Sequence, residues 1–489
     1  MSLATRRAFL QQAAAAGAAF AVPHLVPRTA FGANDQIHIA VAGIHGRGQS
    51  HIDGYSKLPG CRVTHLVDPD SRLFAERANI VEKKFGARPK CVQDLRKALD
   101  DKDLDAVSIA SCNHWHSLLT IWACQAGKDV YVEKPCSHNV YEGRKCVEAA
   151  RKYARIVQHG TQSRSSAVIA NTVAAIASGK YGKLLVAKGY CCKPRWSIGF
   201  KETQEPPPEL DFDLWLGPAP KQPYHENLVH YNWHWFWDTG NGDMGNQGVH
   251  QMDIARWGIP GATLPKSVVS LGGRWVNEPN YQDQGQTPNM LLSVYDFGQT
   301  LLVFETRGLV ARAKGKKGSP AKDPFPQKVA NEWYLEAGKI LNDKFYPKGK
   351  DKPEPIAAHA KRGRSSDHFG NFLECVRSRR REDQYAEILE GHYSAALCHL
   401  GNISYRLGHA APLGEKPRDF PENEHVAASL QAIRENLVGQ LGMDLGKTVC
   451  QVGPKLEFDA RTEKFVHHAA ADALLTRPPR PPYVVPEKV

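Results

Sequence analysis

Short apolar runs alternate with amphipathic stretches from Gln36 to Tyr153. Ile37 to Ala42 predicts a strand, followed by a glycine-rich turn and a helix through about Leu58. Cys61 to Val67 predicts a second strand, ending in Asp68, and Ser71 to Phe85 a helix. Asp105 to Ala110 reads as a strand, Ser117 to Ala126 as a helix closed by Gly127, and Asp129 to Val132 as another strand. Glu133-Lys134-Pro135 and a helix from about Val140 to Tyr153 complete the series. Strand–helix alternation with short connections requires right-handed crossovers, so residues 34–158 predict an α/β unit with a doubly wound parallel sheet of the Rossmann type.

The texture changes after Gln158. A helix from Ala167 to Ser178 leads to a strand over Leu184 to Tyr190, then to a loop with Pro206-Pro207-Pro208 and Trp215-Leu216-Gly217-Pro218. Longer strands are predicted at Ser267–Trp275, Met290–Phe297 and Thr300–Thr306, the last two joined by a tight turn. Residues 159–475 therefore read as an α+β domain with a large, mainly antiparallel open sheet. One face would rest on helices, and the other would be available to a partner subunit. Residues 309–365, rich in Lys, Pro and Gly, predict an extended insertion, and helices resume at His368–Arg377 and Tyr385–Leu407. The Pro-rich end, 476–489, predicts an extended tail wrapping its own subunit or a neighbour.

The N-terminus adds an address. Thr5-Arg6-Arg7-Ala8-Phe9-Leu10 precedes an alanine-rich apolar zone from Ala13 to Val22, and the order of charged, apolar and small residues over 1–33 predicts a twin-arginine export signal. That zone is too short for a permanent span, which needs about 20 apolar residues. The mature protein is expected to be soluble and periplasmic or otherwise extracytoplasmic, with the twin-arginine machinery as a partner.

Composition changes this little. The 489 residues are 42% hydrophobic and 23% charged, ordinary for a globular chain of two domains. The net charge of +12 includes Arg6, Arg7 and Arg28 of the leader, which leaves +9. The basic runs read as solvated surface rather than a nucleic-acid face, since no nucleic-acid motif accompanies them. Eleven scattered cysteines, without CxxC spacing, read as free and mostly buried thiols, with Cys191-Cys192 filling a strand.

The candidate chemistry lies in three places. Gly43-Ile44-His45-Gly46-Arg47-Gly48 falls between a predicted strand and helix, where glycines let the backbone approach a pyrophosphate at a helix N-terminus. His45 holds the third position of that fingerprint, with Gly46 beside it. Asp68, at the end of the next strand, is placed to accept ribose hydroxyls and repel a 2′-phosphate, which favours NAD over NADP. Glu133-Lys134-Pro135 follows a strand at the carboxyl edge of the sheet, where Lys134 is a candidate proton donor or acceptor. Helical from about Met244, the segment Gly240–Asp253 sets Asn246 and His250 one turn apart on one face, a pair able to hold a hydroxyl and move its proton. Just before it, Trp233 and Trp235 within Tyr231–Asp238 offer flat faces for a sugar ring. No metal site is expected; His230 and His234 are four apart but not on a predicted helix, and His225 stands off.

These motifs in this order resemble the glucose–fructose oxidoreductase / inositol dehydrogenase / rhizopine-catabolism (Gfo/Idh/MocA) family. Asn113-His114-Trp115-His116, Gly160-Thr161-Gln162 and Leu214-Trp215-Leu216-Gly217-Pro218 extend the resemblance over nearly the whole mature chain. It implies that Gly43, His45, Gly46, Arg47, Gly48, Asp68, Asn113, His116, Glu133, Lys134 and Gln162 surround a tightly held NAD. Lys134 would be the family's motif lysine and His250 its catalytic histidine. The substrate hydroxyls would meet Trp233, Trp235, Asp243, Asn246 and His250. The family's aspartate, four residues before the histidine, falls on Asn246, which can bond a hydroxyl but cannot act as a carboxylate base; Asp243 or Asp238 are possible stand-ins.

The implied activity is NAD-dependent oxidation of a hydroxyl on a sugar, polyol or glycoside. The alternative is redox-neutral, NAD-dependent glycoside cleavage through a transient ketone, elimination, water addition and re-reduction. A third reading is a non-catalytic NAD-binding protein. A homodimer or homotetramer is the family expectation.

Overall fold

The computed structural model describes residues 36–276, 281–310, 329–357 and 367–489. The predicted leader and parts of the predicted insertion, 311–328 and 358–365, lie outside the described residues.

Six parallel strands form the first sheet in the order β3-β2-β1-β4-β5-β6. They are β1 (Ile37–Ala42), β2 (Cys61–Val67), β3 (Lys90–Val92), β4 (Ala106–Ile109), β5 (Asp129–Val132) and β6 (Val157–His159). The order reverses between β1 and β4, which places a ligand crevice outside the carboxyl ends of those strands. Helices α1 (Gly46–Tyr55), α2 (Phe74–Phe85), α3 (Leu95–Leu99), α4 (Asn113–Gln125) and α5 (Val140–Lys152) supply the crossovers. Strands β4 and β5 are buried at every residue, as a sheet covered on both faces requires.

Segments far beyond residue 158 complete the core of this domain. Helix α9 (His368–Ser378), capped by Asp367, returns to lay Phe372, Leu373 and Val376 against Ile37, Ile39 and Ile52. The C-terminal tail covers the opposite layer: the Tyr483 ring meets Trp115 edge-on with centroids 5.4 Å apart, and Val489 joins the same core. Arg477 pairs with Glu142 at 2.6 Å, and Arg480 pairs with Asp213. The tail thus wraps its own subunit. Apolar surface beside β1 and α4 is what draws these distant segments back.

Helix α6 (Ala167–Ala177) leads into the second domain and β7 (Leu184–Cys191). A short helix, α7 (Phe212–Leu216), and α8 (Val249–Trp257) precede β8 (Ser267–Gly273), β9 (Met290–Asp296) and β10 (Leu301–Arg307). Among the described residues this sheet has twelve strands and is mostly antiparallel, with β7 and β10 paired in parallel. The predicted extended insertion is in its described part sheet: β11 (Val329–Leu335) pairs with β7, and β12 (Gly338–Leu341), β13 (Lys344–Pro347) and β14 (Glu354–Pro355) follow outward. Gly and Lys there are turn and edge residues of short hairpins, which masked the strand pattern.

Along β9 the side chains alternate between two cores. Leu291 and Tyr295 pack with α8 and α10 (Ile388–Arg406), while Met290, Leu292 and Val294 pack with α11 (Glu424–Leu441). Over the central strands the second face is therefore covered from within the same chain. Val426, Leu430, Ile433 and Leu437 of α11 cover it. Strands β15 (His409–Pro412) and β16 (Val449–Val452) extend the sheet beside β8. All eleven cysteines are free, most of them buried. No helix among the described residues is long and apolar enough to cross a membrane.

Phe372→Ala is expected to destabilise the protein by about 3–5 kcal/mol, read from urea denaturation, because a fully buried ring from a remote helix completes the first core. A loss below about 1 kcal/mol would place that helix outside the domain's cooperative unit.

Candidate active site

A cleft of about 320 Å³ opens at the carboxyl ends of β1, β4 and β5 and is closed from the other side by the second domain. The turn after β1 sets one wall. Gly43 has φ +82°, and a Cβ there would stand 2.5 Å from the Ser111 nitrogen, so only glycine fits the turn. Gly46, the first residue of α1, has nothing within 4 Å of its Cβ position and faces the cleft, which leaves room for a close-approaching ligand. Gly48 lies behind, against the Gly43 carbonyl, and shapes the turn rather than the cleft.

Asp68 lines the cleft next to this turn. Its carboxylate accepts the Ile44 N–H at 2.9 Å and the Asp70 N–H at 3.0 Å. Burial pushes its pKa up to about 6 against those two hydrogen bonds. Asp70 is fully buried, bonded by Arg72 and by His230 Nε2 at 2.9 Å. His230 stacks flat on His45, with centroids 4.5 Å apart and an interplanar angle of 5°. His45 is thus half of a contact across the cleft mouth, as well as a residue of the glycine turn. The acid two residues after Asp68 was the available sequence signal for this clamp, and sequence reading missed it.

Glu133, at the end of β5, is 3% exposed. Its Oε1 accepts from Arg47 Nε at 2.7 Å and Gln162 Nε2 at 2.9 Å, and lies 3.2 Å from His51 Nε2. Burial would raise this carboxyl, but Arg47, His51 and Lys134 outweigh it and hold it well below the carboxylate range. Gln162 does not line the cleft; it secures Glu133 and the Tyr131 hydroxyl. Lys134 projects into the cleft, where Nζ donates to the Asn246 carbonyl at 2.5 Å and lies 3.4 Å from Asn246 Oδ1. Burial lowers its pKa more than Glu133 raises it.

Asn113 and His116 come from the first turn of α4. Asn113 Nδ2 donates to Asn241 Oδ1 at 3.0 Å, which ties the cleft floor to the second domain. Both ring nitrogens of His116 face carbonyls, Pro135 at 2.6 Å and Ser111 at 2.8 Å, so this ring braces the walls. The segment predicted as a helix from Met244 begins as a π-helical turn (Met244–Gly248) before α8. That turn presents Asn246 to the cleft, whereas His250 does not line it. His250 Nδ1 is buried without a partner, and burial, reinforced by Lys134, depresses its pKa to about 3.

Trp233 and His234 line the cleft with their rings stacked 3.6 Å apart. Trp235 does not; the Arg195 guanidinium lies 5.3 Å over it. Asp243 is committed elsewhere, to Arg195 at 2.9 Å and the Cys191 thiol at 3.3 Å, and Asp238 is exposed. Behind the site, the buried Arg164, Asp253 and Arg256 and the half-buried Glu390 form a charge network, Arg164 reaching Asp253 at 2.8 Å and Arg256 reaching Glu390 at 2.5 Å.

Known proteins place this architecture. The NAD-binding Rossmann-fold model of the Gfo/Idh/MocA oxidoreductase family matches residues 37–161, and the model of that family's C-terminal α/β domain matches residues 168–264. A scyllo-inositol 2-dehydrogenase (NAD(+)) of Bacillus subtilis is 26% identical over 54% of this chain and 65% of its own length. A glycosyl hydrolase family 109 protein of Akkermansia muciniphila is 25% identical over 28% of this chain and 30% of its own. The chain thus spans less than two thirds of either relative. The WlbA dehydrogenase of Chromobacterium violaceum, solved with NADH and UDP-GlcNAcA, shares the fold at a TM-score of 0.54 and 15% identity, over 76% of this chain and 94% of that one. A levoglucosan dehydrogenase solved with NADH does so at 0.53 and 16%, over 75% and 96%.

Affinity for NAD is expected to fall as pH is lowered through about 6, where Asp68 gains a proton and loses its charge toward ribose hydroxyls. Titration calorimetry across that range checks it, and Asp68→Ala should flatten the profile while weakening binding at neutral pH by about tenfold.

Proposed function

We propose, from the premise that the chain belongs to the Gfo/Idh/MocA oxidoreductase family, that it is an exported NAD-dependent enzyme oxidising a hydroxyl of a sugar, polyol or glycoside. The observation that carries this reading is Lys134. Its amine stands in one cleft with a glycine turn and a ribose-type acid, held on Asn246 and lowered in basicity by burial.

The residues present fit NAD. The open space at Gly46 suits the pyrophosphate, and Asp68 suits the adenosine ribose. Bound there, the nicotinamide would supply the hydride acceptor. The chain's own part is to handle the hydroxyl proton. A lysine whose basicity is lowered reaches the free amine at a lower pH than an exposed one, so Lys134 Nζ can take that proton. Asn246 orients the amine through its carbonyl and offers Oδ1 to a neighbouring hydroxyl. His250, behind the wall and near enough for Lys134 to depress its basicity, is assigned the second place in proton handling. The stacked Trp233 ring gives the cleft an apolar flat face for a sugar ring.

Two features favour a closed redox cycle. An exported enzyme has no soluble nicotinamide pool to exchange with, so its cofactor must stay bound. Asn246, which stands where the family has aspartate, offers no carboxylate base, so net dehydrogenation leans on Lys134 with His250 behind it. The relatives named as glycosyl hydrolases support the second reading, redox-neutral cleavage of a glycosidic bond.

Lys134→Met is expected to lower kcat by about 10²–10⁴-fold with NAD binding retained. In the parent enzyme kcat/KM should rise with pH through one ionisation below the ordinary lysine value of about 10.4, and the variant should lose that limb. Sugars plus NAD should accumulate NADH if oxidation is net, whereas aryl glycosides cleaved without NADH would establish the redox-neutral route. A protein that does neither would be a non-catalytic binder. Replacing both Arg6 and Arg7 by Lys should leave the protein inside the cell, read by fractionation.

A further inference from the structure

A second cavity, of about 180 Å³, lies on the other side of Asn241 from the cleft. Asn241 joins the two: its Oδ1 accepts from Asn113 at the cleft floor, and its Nδ2 donates to the carbonyl of His138 in the second cavity. Four residues around this cavity carry a buried polar atom that no group of the described protein satisfies: His138 Nε2, His399 Nδ1, Asn402 Oδ1 and Arg477 Nη1. His399 and Asn402 are 4% and 5% exposed. Leaving a buried polar atom unsatisfied is costly, so four around one cavity mark a place built to be filled by a polar molecule.

Their chemistry narrows the ligand. The guanidinium of Arg477 is already paired with Glu142 at 2.6 Å and spends another donor on the His114 carbonyl. Asn402 spends its amide N–H₂ on the Asn241 carbonyl and keeps the acceptor. Burial keeps both histidines neutral, His399 down to about 3 and His138 well below its ordinary value. His399 Nε2 lies 3.2 Å from Ser137 Oγ, which leaves Nδ1 to the ligand. The cavity therefore offers one donor, one acceptor and two imidazole nitrogens, while its two other charged lining residues, Asp238 and Arg406, are exposed and opposite in sign. Trp237, with Arg406 5.1 Å over its ring, adds an aromatic wall. Hydroxyl groups both donate and accept, so a ligand carrying several of them answers such a set.

We propose that this cavity is a second binding site, for a neutral, hydroxyl-rich ring such as a monosaccharide or cyclic polyol, separate from the nucleotide cleft. Through Asn241 its occupancy bears on the position of Asn113 in that cleft.

The test uses the full chain with its nucleotide, and myo-inositol as probe. Saturation-transfer NMR should detect binding in the parent protein and in Asn246→Ala, which alters only the first cleft. Trp237→Leu and His399→Phe should each weaken that binding about tenfold while nucleotide content stays unchanged. A crystal grown with the probe should show the ring between Asn402 and Arg477. The proposal is overturned if no binding is detected, if both cavity variants bind as the parent does, or if the crystal shows water alone there. Binding abolished by Asn246→Ala but untouched by Trp237→Leu would assign the probe to the first cleft and likewise overturn it. Should one cavity variant lose its nucleotide, the other variant and the crystal still decide.

Discussion

The buried carboxylate of Glu133 is the constraint on which the site depends. Arg47 reaches it from the glycine turn's helix, His51 from one turn further along, and Gln162 from the crossing into the second domain. One acid thus fixes the nucleotide turn, the strand end that carries Lys134 and the start of the substrate side. A charge so buried depends on these partners together, since a buried carboxylate stripped of them would stand uncompensated. The same field lets Lys134 sit deep in protein, where burial lowers its basicity without forbidding its charge.

The two domains are held in register by polar contacts as much as by apolar ones. His45 on His230 closes the mouth of the cleft, and Asn113 on Asn241 closes its floor. Arg164, which follows the first sheet, is anchored to Asp253 on α8 and to Glu390 on α10. Helix α10 carries apolar residues of both domains, Ile388 and Ala395 in one core and Leu397 and Leu400 in the other. Cleft width is therefore set by fixed side-chain geometry on three sides.

Much of this was legible in the sequence because it is local. Apolar runs ending in Ala42, Val67 and Val132 gave the parallel strands, and turn chemistry gave Gly43 and Lys134 their places. What the sequence concealed is long-range. Phe372 belongs to the first core although more than two hundred residues separate it from β6, and nothing in its helical periodicity states which sheet it serves. Trp235 and Asp243 carry plausible ligand chemistry, but Arg195 claims both, and a cation from a distant loop leaves no local trace. The π-helical turn at Met244–Gly248 shifts the phase between Asn246 and His250, so a plain helical wheel places His250 in the cleft when it stands behind the wall. One signal was available and went unread. Met290-Leu291-Leu292 and Val294-Tyr295 are apolar on both faces, the mark of a strand covered twice rather than one with a side left bare.

That double cover comes from α11, and it changes the order of the reaction that stabilises the second domain. Where a bare sheet is sealed by another subunit, its stability grows with protein concentration and is lost on dilution. Here the seal is carried on the same chain, so burying that face is a unimolecular event, governed by loop closure between β10 and α11 and not by encounter.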